Sequence, residues 1–164
     1  MKCALTTRDP EETLSLGAAI GAAARPGLVV TLEGGLGAGK TVLAKGIAKG
    51  LGVPGWKYVT SPTFALHNVY QGRLLLHHID LYRLGRAEEI DGLGLDDLLG
   101  GSDVCVIEWP DLFWRELPAD RLSVRFSWGA SDERALDVES SGPLSDEVLK
   151  RTARAPNGAE TAER

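Results

Sequence analysis

Sulfur and imidazole are scarce in this chain, which has two cysteines, three histidines and one methionine. Cys3 and Cys105 stand in unrelated settings. Cys105 sits inside the apolar run Val104 to Ile107, which suits a small buried hydrophobe better than a disulfide or a metal ligand. His67, His77 and His78 keep no ligand spacing with the cysteines, and strand alternation sends His77 and His78 to opposite faces, so no one ion meets both. They read as structural, with His78 near Asp80.

An excess of basic charge is missing too. Eighteen Lys and Arg face 23 Asp and Glu, for a net charge of −5, so no chain-wide attraction to nucleic acid or to an anionic membrane is available. Only a local patch around Lys45, Lys49 and Lys57 offers itself to a phosphate backbone. No apolar run approaches the roughly 20 residues of a membrane span. The opening MKCALTTRDPEE brings acids before any hydrophobic core, unlike a secretory signal, so a cytoplasmic protein without membrane contact is expected. The only asparagines, Asn68 and Asn157, begin no Asn-Lys-x-Asp motif, and a guanine reader of the Ras kind lacks its base-recognition element here. Asp91 to Gly94 and Asp97 to Gly100 match Asp-x-x-Gly, but neither follows a convincing strand.

What is present is concentrated between Leu28 and Gly52, LVVTLEGGLGAGKTVLAKGIAKGLG. Gly34 and Gly39 occupy the two fixed glycines of G-x-x-x-x-G-K-[ST], completed by Lys40 and Thr41. A nucleoside triphosphate needs several donors converging on closely spaced oxygens. Glycines at Gly34, Gly35, Gly37 and Gly39 accept positive φ, so successive amides can turn inward as an anion nest, and the following helix adds its positive end. Lys40 reaches the β- and γ-phosphates, and the Thr41 hydroxyl is short enough to ligate Mg²⁺. An ordinary glycine-rich turn is the plain alternative. The order apolar strand (Leu28 to Leu32), turn, one-sided helix (Val42, Leu43, Ile47, Leu51) and glycine stop argues against it.

At 164 residues with 43% hydrophobic and 25% charged content, the chain has the size and composition of one globular domain. Ala4 to Thr7 reads as a strand, and Asp9, Pro10 and Glu12 as an N-cap, first-turn proline and capping glutamate of a helix to about Ala24. Thr60, Ser61 and Thr63 flank Pro62, a segment that is either a polar loop or a mobile switch over the γ-phosphate. Gln71 to Arg73 joins Ala65 to Tyr70 and Leu74 to Ile79 as a hairpin. Arg86 to Leu99 reads as a helix broken near Gly92 and Gly94. Val104 to Ile107 suits a central strand covered on both faces, and Leu122 to Trp128 with Ala135 to Ser140 a late antiparallel pair. A domain over 1–150 and a polar tail over 151–164 are expected, with the composition from Arg154 onward that of a disordered segment.

Two acids close strands, Asp80 and Glu108. Each is either a solvated acid or a ligand of Mg²⁺ or of the attacking water, since open α/β sheets bind ligands beyond the carboxyl ends of their strands. Trp109 is either core or a platform for adenine.

Taken in order, EGGLGAGKT, TSPTF, HIDLYRL and IEWPD resemble the bacterial TsaE (YjeE) family of ATPases, which serves threonylcarbamoyladenosine synthesis in tRNA. The resemblance covers most of the chain and fades after about Gly129. It implies an α/β fold: a single P-loop NTPase domain on a mixed sheet with a parallel centre, antiparallel flanking strands and helices on both faces. It implies ATP and Mg²⁺ as ligands, with Gly35, Leu36, Gly37, Ala38, Gly39, Lys40, Thr41 and Val42 around the phosphates and Trp109 bordering the adenine. Lys40, Asp80 and Glu108 would be the catalytic set, and Thr41, Asp80 and Glu108 the metal set. Thr60 to Phe64 would be the switch-like loop. The implied partners are TsaB and TsaD, with tRNA met only through them. A self-sufficient small-molecule or nucleotide kinase is the alternative, though the arginines lie scattered instead of gathered in a lid.

Overall fold

The computed structural model describes residues 1–86, 89, 94–99, 101–129 and 133–154. β1 (Lys2–Thr7) leads into helix α1 (Pro10–Ala23). The helix starts where local chemistry directs it. The Asp9 side chain accepts the Glu12 N–H at 2.8 Å, Pro10 needs no amide partner in the first turn, and Glu12 reaches back to accept the Arg8 N–H. β2 (Val29–Glu33) then feeds the glycine-rich turn and helix α2 (Lys40–Gly50). A hairpin of β3 (His67–Gln71) and β4 (Leu75–Asp80) is followed by the short α3 (Leu95–Leu99) and β5 (Val104–Glu108). A second hairpin, β6 (Leu122–Trp128) with β7 (Arg134–Ser140), and helix α4 (Pro143–Ala153) complete the described chain.

The seven strands form one sheet in the order β1-β7-β6-β2-β5-β4-β3. Its centre is parallel, β4 to β5 to β2 to β6, whereas β3 pairs antiparallel with β4, β7 with β6, and β1 with β7. The mixed sheet expected from the sequence is therefore present. Helices α1, α2 and α4 cover one face, where Val30, Leu32, Val104, Val106 and Val124 pack against Ile20, Leu43, Ile47 and Val148. On the other face Val29, Ile79, Cys105 and Ile107 lie beneath Leu95, Phe113 and Leu117. Burial from both sides explains why β2 and β5 are near-continuous apolar runs. Cys105 is the inert hydrophobe its setting indicated, its thiol pushed up to about 12 by burial.

Helices α1 and α2 approach closely because both carry glycines at the crossing. A Cβ on Gly46 would stand 2.3 Å from the Leu14 carbonyl oxygen, and one on Gly17 2.4 Å from that of Leu43. This contact sets the helix behind the phosphate loop hard against its neighbour.

Several boundaries depart from expectation. β1 begins two residues before Ala4. β3 begins at His67, not Ala65, because Leu66 holds a left-handed backbone at φ 64°. Gly94, at φ 61°, precedes α3; the expected helix from Arg86 also spans 87, 88 and 90–93, which lie outside the described residues. Helix α4 has no counterpart in the sequence reading. It runs to Ala153 and buries Thr152 at 4% exposure. Its opening amides are taken from a distance, by Asp120, which accepts Leu144 N–H at 2.8 Å and Ser145 N–H at 3.0 Å. Positions 155–164 of the expected tail lie outside the described residues.

Candidate nucleotide-binding site

The loop Gly34 to Gly39 joins the carboxyl end of β2 to the amino end of α2. Gly34, Gly37 and Gly39 take positive φ, at 141°, 73° and 110°, as the nest requires. Gly35, equally free to do so, does not. Gly39 is the N-cap residue and offers no side-chain cap. The first amides of α2 are thus left for an anion, with the positive end of the helix behind them.

Lys40 is buried at 5% exposure, and its Nζ donates to the carbonyl oxygens of Gly34 at 2.7 Å and Gly35 at 2.8 Å. The ammonium also lies 4.0 Å from the centroid of the Trp109 ring. Burial lowers the Lys40 pKa, while Glu108 and Asp80 pull it back up. The lysine therefore waits inside the loop, folded onto carbonyls that a phosphate oxygen would outcompete as acceptor.

β5 brings Glu108 under α2, where the Thr41 hydroxyl donates to it, 3.1 Å from Oε1 and 3.3 Å from Oε2. Asp80 is the residue beside Glu108 in the β4–β5 ladder and is itself buried at 3%. One of its oxygens receives the hydroxyls of Ser61 and Thr63, the latter at 3.2 Å, and the other the Tyr82 N–H at 2.9 Å. The hydroxyl-rich segment is thus docked on a site acid, which an ordinary polar loop would not require. Thr41, Glu108 and Asp80 together present only oxygen donors of the hard type that suits Mg²⁺.

Trp109 follows Glu108 directly at the end of β5. Its backbone is left-handed at φ 59°, an unusual conformation for a bulky residue, held by its N–H donating to Leu32 O at 3.2 Å. The turn lays the indole over Lys40 and against Tyr82, with ring centroids 4.9 Å apart.

His78, read from the sequence as structural and near Asp80, lies 2.8 Å from Glu108 through Nε2, with the two side chains at 1% and 3% exposure. The signal was there to read, because His78 lies two residues before Asp80 on one strand and so shares its face. Among the described residues no group of three or more His, Cys, Asp and Glu gathers as a metal cluster.

The profile described as "Threonylcarbamoyl adenosine biosynthesis protein TsaE" matches residues 7–136 of this chain. The chain belongs to the TsaE family. A relative from Bacillus subtilis (strain 168), named tRNA threonylcarbamoyladenosine biosynthesis protein TsaE, is 40% identical over 152 residues, which cover 92% of this chain and 94% of that one. A relative of the same name from Treponema pallidum (strain Nichols) is 39% identical over 138 residues, 84% of this chain and 99% of its own length. The crystal structure of Bacillus subtilis YdiB superposes with a TM-score of 0.79 at 35% identity, covering 94% of this chain and 95% of that one. TsaE is a nucleotide-binding family.

Proposed function

We propose that this chain binds ATP at the Gly34 to Thr41 loop, hydrolyses it with Mg²⁺, and thereby supports threonylcarbamoyladenosine formation in tRNA as an accessory of TsaB and TsaD. The observation that carries the reading is the convergence of Lys40, Thr41, Glu108 and Asp80 on the N-terminus of α2. When bound, Mg²⁺ would neutralise charge on the phosphates. Lys40 would leave the loop carbonyls to follow the phosphate oxygens, and Thr41, Glu108 and Asp80 are the residues that would hold the metal. Glu108 and Asp80 then hold the remaining charge balance, with Asp80 restraining the segment from Thr60 to Phe64 that closes on the γ-phosphate.

Three features support partner dependence. Among the described residues no arginines gather at the site to serve as a phosphotransfer lid, the net charge of −5 gives tRNA no broad attractive surface, and the named relatives belong to tRNA threonylcarbamoyladenosine biosynthesis. Contact with tRNA runs through the partners. Among the described residues no helix is long and apolar enough to cross a membrane. The test is ATP turnover by the purified chain, alone and with TsaB and TsaD of the same cell. Slow turnover that rises with both partners supports the accessory role. Turnover indifferent to them favours a self-sufficient kinase, to be pursued with small phosphate acceptors.

A further inference from the structure

Charge is divided unevenly along the chain. All 23 Asp and Glu lie outside the stretch from Gly34 to Ile79, which itself holds Lys40, Lys45, Lys49, Lys57 and Arg73. The phosphate loop, α2 and nearly all of the first hairpin therefore form a basic island in a protein whose net charge is −5. Two of the five cations are committed. Lys40 is folded into the phosphate loop. Arg73, at the turn of the hairpin, donates to the carbonyl oxygens of Gly21, Ala22 and Ala24 at 2.8, 3.2 and 3.0 Å, and so caps the carboxyl end of α1. Lys45, Lys49 and Lys57 remain, and among the described residues none of the three forms an ion pair with a carboxylate.

The fold gathers these three. Lys45 and Lys49 stand four residues apart on α2 and share a face of it. Beyond the helix, Gly52 and Gly55 take left-handed backbones at φ 72° and 69°, and the 3₁₀ turn Trp56–Tyr58 follows at once. The Lys49 ammonium lies 4.8 Å from the centroid of the Trp56 ring and the Lys57 ammonium 5.7 Å. One indole thus holds two cations that repel each other, an arrangement that an outside anion would stabilise. Tyr58 beside them is 85% exposed, and tryptophan and tyrosine are the residues that most often anchor protein interfaces. Val59, 1% exposed, then pins the chain to the core one residue before Thr60, where the segment docked on Asp80 begins.

We propose that Lys45, Lys49, Trp56, Lys57 and Tyr58 form the docking surface for a carboxylate-rich patch of a partner protein. The inference rests on the partner-dependent reading of the site and names where the partner sits. Charge decides what kind of partner fits. A compact acidic patch meets the three lysines without approaching the acids elsewhere on the chain, whereas a nucleic-acid strand is a continuous line of phosphates that those acids repel. The lysines steer the encounter, and the two aromatic rings add apolar contact beside them. A partner seated here adjoins the segment held by Asp80, which gives its arrival a route to the nucleotide site.

The test measures binding of the TsaB and TsaD complex of the same cell, by calorimetry at low and at high salt, to wild type, Lys49→Glu/Lys57→Glu and Lys49→Arg/Lys57→Arg. Gel shift of tRNA by the same proteins, and circular dichroism to confirm their folds, accompany it. At low salt the glutamate variant is expected to bind the complex at least roughly tenfold more weakly, with the deficit shrinking as salt screens the charges. The arginine variant should stay within about three-fold of wild type, because it keeps both charges, and each variant alone should turn over ATP like wild type. A folded glutamate variant that binds as tightly as wild type at low salt overturns the surface and leaves the partner reading standing. A deficit that is the same at both salts overturns the charge pairing. Transfer RNA that is shifted by wild type and not by the glutamate variant assigns the lysines to an RNA backbone and overturns the protein partner. A wild type that binds no TsaB and TsaD overturns the partner reading and the surface with it.

Discussion

His78 Nε2 donates to Glu108 Oε1 across 2.8 Å in a spot from which water is all but excluded. Thr41 donates to the same carboxylate, so Glu108 accepts from both and His78 must carry its proton on Nε2, with Nδ1 finding no hydrogen-bond partner among the described residues. The imidazole fixes the carboxylate's orientation before any ligand arrives. Outer partners of this kind govern metal affinity by about 10- to 100-fold. His78→Leu is expected to raise the Mg²⁺ concentration needed for nucleotide binding and hydrolysis by that factor. His78→Gln, which still donates, should recover part of it. Nucleotide affinity measured without Mg²⁺ should not move, and a matching loss there would reduce His78 to a packing role.

Trp109 and Lys40 give a second test. The ammonium lies 4.0 Å from the indole, and phosphate binding draws it away. In a protein whose other tryptophans, Trp56, Trp114 and Trp128, are changed to Phe, the remaining fluorescence is expected to change with Mg²⁺ and tripolyphosphate alone. A response that requires the nucleoside would return Trp109 to the adenine.

The segment around Pro62 is anchored to Asp80 by two hydroxyls. Hydrogen bonds to a charged group contribute about 1.5–3 kcal/mol each. The double substitution Ser61→Ala and Thr63→Ala should therefore speed amide exchange across residues 60–66 by at least tenfold, while exchange in α2 stays as before. Equal exchange in both proteins would mean that Asp80 does not hold the loop.

Gly46 tests the helix crossing. Alanine is the better helix former by about 1 kcal/mol, yet its methyl group would meet the Leu14 carbonyl oxygen at 2.3 Å. Overpacking of this kind costs about 1–3 kcal/mol, so Gly46→Ala should lower the melting temperature by roughly 3–10 °C. A rise would show that the helices part readily.

Much of this was legible in the sequence, and the reason lies in how local the signals are. The phosphate loop announces itself because glycines, lysine and hydroxyl stand within eight positions and need no distant help. Asp9 and Glu12 cap α1 from within its own first turn. Helix α4 escaped because its amides are capped by Asp120, more than twenty residues earlier, although Pro143 at its start and Lys150 and Arg151 in its last turn are helix signals in their own right. The left-handed backbone of Trp109 was not legible, because it follows from tertiary contacts and not from its neighbours in sequence. The alternation of β6 marked a strand that pairs with β7, but its parallel seat beside β2 depends on topology.

The central claim is that Lys40 and the loop around it bind the phosphates of ATP. Calorimetric titration of ATP with Mg²⁺ into wild type and Lys40→Ala, with circular dichroism to confirm the fold, addresses it most directly. Loss of the buried ammonium and its charged hydrogen bonds should weaken binding by at least roughly 100-fold and abolish hydrolysis. A folded Lys40→Ala protein that binds and hydrolyses ATP like wild type would contradict the account.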